Sequence, residues 1–178
     1  SNWLESQVVV NELQNSSGIA DDFIELKNLS AAAINISGWW LSDDGDVRQK
    51  YQFPSGTIIP AGGLLSIFQT QFGAGTIPFA FSASGEKAVL TAVSGGLETG
   101  YRSEVNFGAG FTIASFGRVL TGDPLGALKP EFWPQTTRTP GAANSSRIKA
   151  RQRSSSSSQF SSLRRVVVTS GVGDRKSS

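Results

Sequence analysis

Apolar and polar residues alternate along this chain in short runs, the period of two that lays one face of a β-strand against a core. Residues 7–13 (QVVVNEL) predict a first strand, and residues 22–29 (DFIELKNL) set Phe23, Glu25 and Lys27 against Ile24 and Leu26. The same reading predicts strands over 33–36, 39–42, 51–53, 64–69, 78–82, 87–92, 99–107 and 115–120. Between them lie NSSG at 15–18, DDGD at 43–46, PAGG at 60–63, SG at 84–85 and SGG at 94–96. This is turn chemistry: Gly takes positive φ, and Asn, Asp and Ser bond their own backbone. No stretch carries the period of a long amphipathic helix, so the expected fold class is all-β, a sandwich or a Greek-key barrel. Trp39 and Trp40 are consecutive on a strand and face opposite ways; one should fill the core while the other meets a loop or a partner. Asn11, Glu12 and Glu25 stand among apolar neighbours, where pairing with loop backbone is expected.

Composition removes more chemistry than any motif adds. The 178 residues contain no Cys, His or Met, which excludes thiol nucleophiles, Ser-His-Asp triads, His-ligated zinc and disulfides. A chain that opens at Ser1 without Met suits a removed leader, so an extracellular or cell-surface location is expected. No apolar run approaches the roughly 18–20 residues of a membrane span, and none is expected.

Charge divides the chain in two. Residues 1–144 hold 8 Lys+Arg against 13 Asp+Glu, net −5, and residues 145–178 hold 8 against 1, net +7, which sum to the overall +2. The second segment also has 12 Ser among its 34 residues, a composition that does not bury enough apolar surface to order itself. We therefore divide the chain into a β-domain, 1–144, and a basic arm, 145–178. Arg147, Lys149, Arg151, Arg153, Arg164 and Arg165 are candidate contacts to an anionic polymer such as DNA or a polysaccharide. Only Phe160 interleaves them, so the stacking pattern of single-strand binders is missing. Past the Ser tether, Leu163, Val166, Val167, Val168 and Val172 make a compact β-former, the format in which one chain adds a strand to another's sheet edge. A solvated tail is the plainer reading of the same residues.

The order of the motifs resembles the lamin tail domain family. VVVNEL at 8–13, DFIELKN at 22–28 and ISGWWLSD at 36–43 are similar to its opening blocks. YQFP at 51–54, IPAGG at 59–63, FSASGE at 81–86, SFGR at 115–118 and TPGAAN at 139–144 follow in the family's order. The resemblance spans about residues 6–144 and implies an immunoglobulin-like β-sandwich and, as in prokaryotic relatives, a secreted or surface module. It transfers no catalytic residue. The lamin rod and its basic nuclear-localisation elements have no counterpart here, so a nuclear-envelope role is not implied.

Three further patterns offer candidate chemistry. Asp43, Asp44 and Asp46, with Asp21 and Asp22 from another loop, are candidate calcium ligands, though the bidentate Glu of an EF-hand loop is missing and a self-bonded Asp turn explains the cluster as well. Glu25 with Asp44 is the one acid pair to consider for glycoside cleavage, against structural or surface roles for both. Sequons begin at Asn15, Asn28, Asn35 and Asn144, a number that a chain rich in Ser and Asn produces by chance. The functional expectation is a non-catalytic extracellular structural module, without a required cofactor, that self-associates with other copies into an oligomer or filament through its arm. The alternative is an accessory module that attaches a secreted protein to DNA, polysaccharide or a cell surface through the basic arm.

Overall fold

The computed structural model describes residues 7–15, 21–110, 114–122 and 128–145. The elements run β1 (Val8–Gln14), β2 (Phe23–Asn28), β3 (Ile34–Asn35), β4 (Trp40–Ser42), β5 (Tyr51–Gln52), β6 (Ile58–Ile59), β7 (Leu64–Phe68), α1 (Gln69–Phe72), β8 (Glu86–Ser94), β9 (Leu97–Phe107), β10 (Phe116–Gly122) and β11 (Leu128–Pro134). One sheet has the order β11-β10-β1-β2-β7, a second β5-β4-β8-β9, and β3 pairs with β6 alone. Every pairing is antiparallel.

The two larger sheets face each other across one apolar core, an immunoglobulin-like β-sandwich as expected. Val8, Val10, Leu13, Ile24 and Leu26 meet Leu41, Ala88, Leu90 and Ala92 within it. Main-chain groups of β1 are also tied to the second sheet: the Tyr101 hydroxyl donates to the Val8 carbonyl at 2.8 Å, and the Val10 N–H donates to Ser103 Oγ at 3.1 Å. Trp39 is 2% exposed beside Tyr101, ring centroids 6.4 Å apart, while Trp40 is half-buried. Trp39 is thus the indole that fills the core, and Trp40 the more exposed of the two.

A β-bulge sets the parity of β1. The register with β2 shifts between Val10 and Glu12, leaving Asn11 as the extra residue. Before the bulge, Val8 and Val10 point into the core; after it, Leu13 does. Unbroken alternation would have sent Glu12 and Gln14 inward. The bulge turns Glu12 to the outer face of the five-stranded sheet instead.

Four elements differ from the expectation, the first being β6, whose two residues pair only with β3 among the described residues and are too few to show a period of two. Residues 78–82 are not a strand: Ser82 is held by side chains, donating its N–H to Glu86 and accepting from Asn15 Nδ2. Its neighbours Phe79 and Phe81 join a run of ring contacts from Phe72 through Phe107 to Phe116, with successive centroids 4.9 to 6.0 Å apart. Strand β11 went unpredicted because Pro130 and Pro134 argue against a strand; it lies at a sheet edge, where a missing N–H is tolerated. The single turn of α1, which buries Phe72, is too short to show a helical period.

The asymmetry of the tryptophans is testable. Trp39→Ala should cost about 3–5 kcal/mol of unfolding free energy, and Trp40→Ala distinctly less, as read from urea denaturation midpoints.

Candidate functional site

The largest concentration of buried polar chemistry lies on the outer face of the five-stranded sheet. Cross-strand registers place Gly117, Glu12, Glu25 and Ser66 in one row over β10, β1, β2 and β7. Both glutamates are fully buried. Burying a carboxylate costs free energy unless donors replace its water, and here half of the donors come from the loop after β11. Glu12 accepts from the Ser115 hydroxyl and, at 2.7 Å each, from the Thr139 N–H and the Thr139 hydroxyl. Glu25 accepts from Asn11 Nδ2 and the Ser66 hydroxyl at 2.8 Å each and from the Gly141 N–H. Among the described residues, neither is within ion-pair distance of a cation.

Asn144 completes the closure. Its Nδ2 donates to the carbonyls of Asn11 and Arg118 at 3.1 and 3.0 Å, and its Oδ1 accepts from Asn11 Nδ2 at 2.9 Å. The bulged residue is therefore held by the far end of the chain. Two glycines make room. A Cβ on Gly117 would sit 2.8 Å from Gln135 Cδ and 2.9 Å from Asn144 Nδ2, so any side chain there would displace the clamp. Gly141 turns the loop at φ 78°, a region L side chains disfavour, while its N–H is spent on Glu25. Arg138 lies over the Phe23 ring, 5.1 Å from its centroid, and Ser145 closes on Thr137, accepting its N–H at 3.1 Å. The expectation of pairing with loop backbone holds for Glu12 and Glu25, which accept the Thr139 and Gly141 N–H groups; the Asn11 side chain bonds instead to the side chains of Glu25 and Asn144. The loop's identity, and the parts played by Ser66, Ser115, Gly117, Thr139 and Gly141, were not read from the residues. The signal lay in the SFGR and TPGAAN blocks.

The acidic loop is built differently. Asp43 pairs with Lys50. Asp44 Oδ1 accepts the N–H groups of Asp46 at 2.8 Å and Val47 at 3.3 Å, and those backbone bonds hold its carboxyl below the ordinary value. Asp43, Asp44 and Asp46 line a surface depression of about 550 Å³ together with Glu86, Lys87 and Asn106; Asp21 and Asp22 do not reach it. Among the described residues no three acidic side chains are arranged to hold a metal ion. Glu25 is enclosed in the first sheet while Asp44 lies on a loop of the second, so the two do not form an acid pair.

The sequon asparagines are mostly occupied. Asn15 Nδ2 donates to Ser82 and Gly108 carbonyls, Asn28 Nδ2 to those of Ala32, Ile59 and Pro60, and Asn144 as above; Asn35 alone is exposed. Leu163, Val166, Val167, Val168, Val172 and the basic residues Arg147, Lys149, Arg151, Arg153, Arg164 and Arg165 lie outside the described residues. The arm's root does not: the described chain ends at Ser145, one residue past the Asn144 clamp on β10. Beside that clamp a groove of about 470 Å³ separates the edge strands of the two sheets, lined by Glu104, Val105 and Asn106 of β9, Arg118 of β10, and Glu131, Phe132 and Trp133 of β11. Burial holds the Arg118 guanidinium below its usual value, and no described carboxylate pairs with it.

Two measurements address these sites. A chain ending at residue 138 leaves both glutamates short of donors and should be about 3–5 kcal/mol less stable than one ending at 145, with Glu25→Gln alone costing about 1–3 kcal/mol; thermal and urea melts compare them. Glu86 supplies a pH test. Burial raises its carboxyl, with Asp43 adding to the rise and the Ser82 N–H and Lys50 opposing it. The folded state thus keeps the proton to higher pH than the unfolded chain, so this group's contribution to stability falls as pH rises through the carboxylate range. Glu86→Gln, which keeps an oxygen for the Ser82 N–H, should raise the urea midpoint at about pH 7 and leave it unchanged at about pH 3.

Comparison with known sequences agrees with the motif order. The family model described as Lamin Tail Domain matches residues 4–107, ending with the last residue of β9. No curated protein and no solved structure matches the chain. Among the described residues no helix is long and apolar enough to cross a membrane.

Proposed function

This chain belongs to the lamin tail domain family, and we propose on that premise that it is a non-catalytic structural module, working outside the cell and joining other copies of itself through its C-terminal arm. The fixed exit of the arm carries this reading. Asn144 and Ser145 are clamped to the sandwich, so the arm starts from a defined place next to two sheet edges, β9 and β11, that have no outer partner among the described residues. Unpaired edges are templates for an added strand, and residues 163–172 hold a valine-rich one behind a Ser tether. A +7 arm meeting a −5 body gives the encounter a favourable long-range field. The absence of catalysis is supported by how the acids are spent: Glu12 and Glu25 serve as structural acceptors, Asp43 in an ion pair, and Asp44 in its own turn.

Attachment of a larger secreted protein to an anionic polymer is the second reading, favoured by the basic residues of the arm alone. Salt separates the two, because counterion release weakens polyanion binding steeply with ionic strength whereas main-chain pairing does not depend on it in that way. Removal of residues 146–178 should reduce the particle size seen by light scattering to that of a single chain, and the full chain should keep its larger size in about 0.5 M salt, where the Debye length is only about 4–5 Å. An unchanged size after removal would rule out arm-mediated assembly.

A further inference from the structure

We propose that the groove between β9 and the β10–β11 hairpin is the receptor for residues 163–172 of the same chain, so that the arm first closes on its own sandwich and reaches another copy only by leaving it. The inference rests on the reading of the arm as a strand donor and adds its seat.

The groove fits a strand in three respects. Its walls are two of the sandwich's open edges, β9 of one sheet and β11 of the other; β9 offers main-chain donors and acceptors on its outer side, whereas Pro130 and Pro134 leave β11 mainly acceptors. Its lining is part apolar, with Val105 and Phe132 half-buried and Trp133 39% exposed, the surface against which alternate valines of an entering strand would pack. Arg118 at its floor has guanidinium donors that no described carboxylate takes, suited to carbonyl oxygens of an incoming backbone. Among the described residues, Glu131 on the β11 wall accepts only from the neutral Trp133 indole, so its charge is open to Arg164 or Arg165, which precede the valines; Glu104 on the β9 wall is already paired with Lys87 at 2.7 Å.

The exit point selects the chain's own segment over a neighbour's. Asn144 is bonded from the outer face of the sheet to the carbonyl of Arg118, whose side chain lines the groove on the other face of β10; the arm thus begins one strand's thickness from its receptor. Residues 146–162 then intervene, a tether whose root-mean-square reach is on the order of 20–25 Å and whose limit is roughly 55–60 Å. A short tether of this kind holds its end at an effective concentration in the millimolar range. Dilute protein therefore favours closure within the chain, and assembly becomes an exchange in which the same strand seats in a second copy as concentration rises.

The absence of cysteine makes the test clean. The double variant N106C/V167C, on the groove wall and on the segment, is compared with S55C/V167C, whose first position is exposed and distant in sequence from the groove strands. Under mild oxidation at micromolar protein, N106C/V167C should form a disulfide within one chain, monomeric on a non-reducing gel, at least tenfold faster than S55C/V167C. Equal rates would overturn the groove as the seat, and predominantly intermolecular disulfides at that dilution would overturn closure within the chain. Light scattering of the full and arm-deleted chains judges assembly separately, so loss of this inference and loss of the assembly reading give different results.

Discussion

Two carboxylates buried side by side on one sheet face are the constraint around which the rest of this structure is arranged. Glu12 and Glu25 are cross-strand partners, and neighbouring acids in a dry site have no stability of their own to offer. Each is made tolerable by three neutral donors, most of them delivered by residues more than a hundred positions away in the chain. The loop at 137–145 is therefore part of the fold as much as any strand. Its turn glycine, its threonine and its asparagine are placed by what the two acids require.

This dependence runs through the bulge at Asn11. Without the extra residue, Glu12 would face the hydrophobic core and Leu13 the outer face. With it, the strand serves the core on one side and the polar row on the other, and the bulged residue itself becomes the anchor for Asn144. The sandwich is consequently complete only when β10, β11 and the closing loop have returned to β1. The family match ends with β9, yet β10 is the neighbour of β1 in the five-stranded sheet. Contacts of such sequence separation pay their loop-closure entropy before they are rewarded, which favours slow, late closure in folding.

The same closure determines what the basic arm is able to do. A chain end left loose would sweep all sides of an acidic body with little preference. Clamped by Asn144 to the carbonyl of Arg118, it departs near a flank where an edge of each sheet, β11 and β9, lies open. Structure at the root gives the arm a fixed starting point on the acidic body.

Strand existence and the burial of one indole were legible in the sequence because period-two alternation and consecutive tryptophans are local signals that tertiary context rarely reverses. The polar anomalies at Asn11, Glu12 and Glu25 were legible as anomalies, since buried polar groups must find partners. Their partners were not, because Thr139, Gly141 and Asn144 are joined to them only through space, and an ordinary turn sequence looks the same whether or not it covers a carboxylate. Pro130 and Pro134 hid β11, whose edge position excuses a missing N–H. Phe79 and Phe81 suggested a strand where only ring packing holds the segment. Residue types and their alternation determined that the chain forms a sandwich with an oppositely charged arm. Only the tertiary structure decided that a bulge would turn Glu12 outward, that the C-terminal loop would cover it, and that the arm would leave beside two open edges, because each depends on which distant backbone comes to lie against which buried charge.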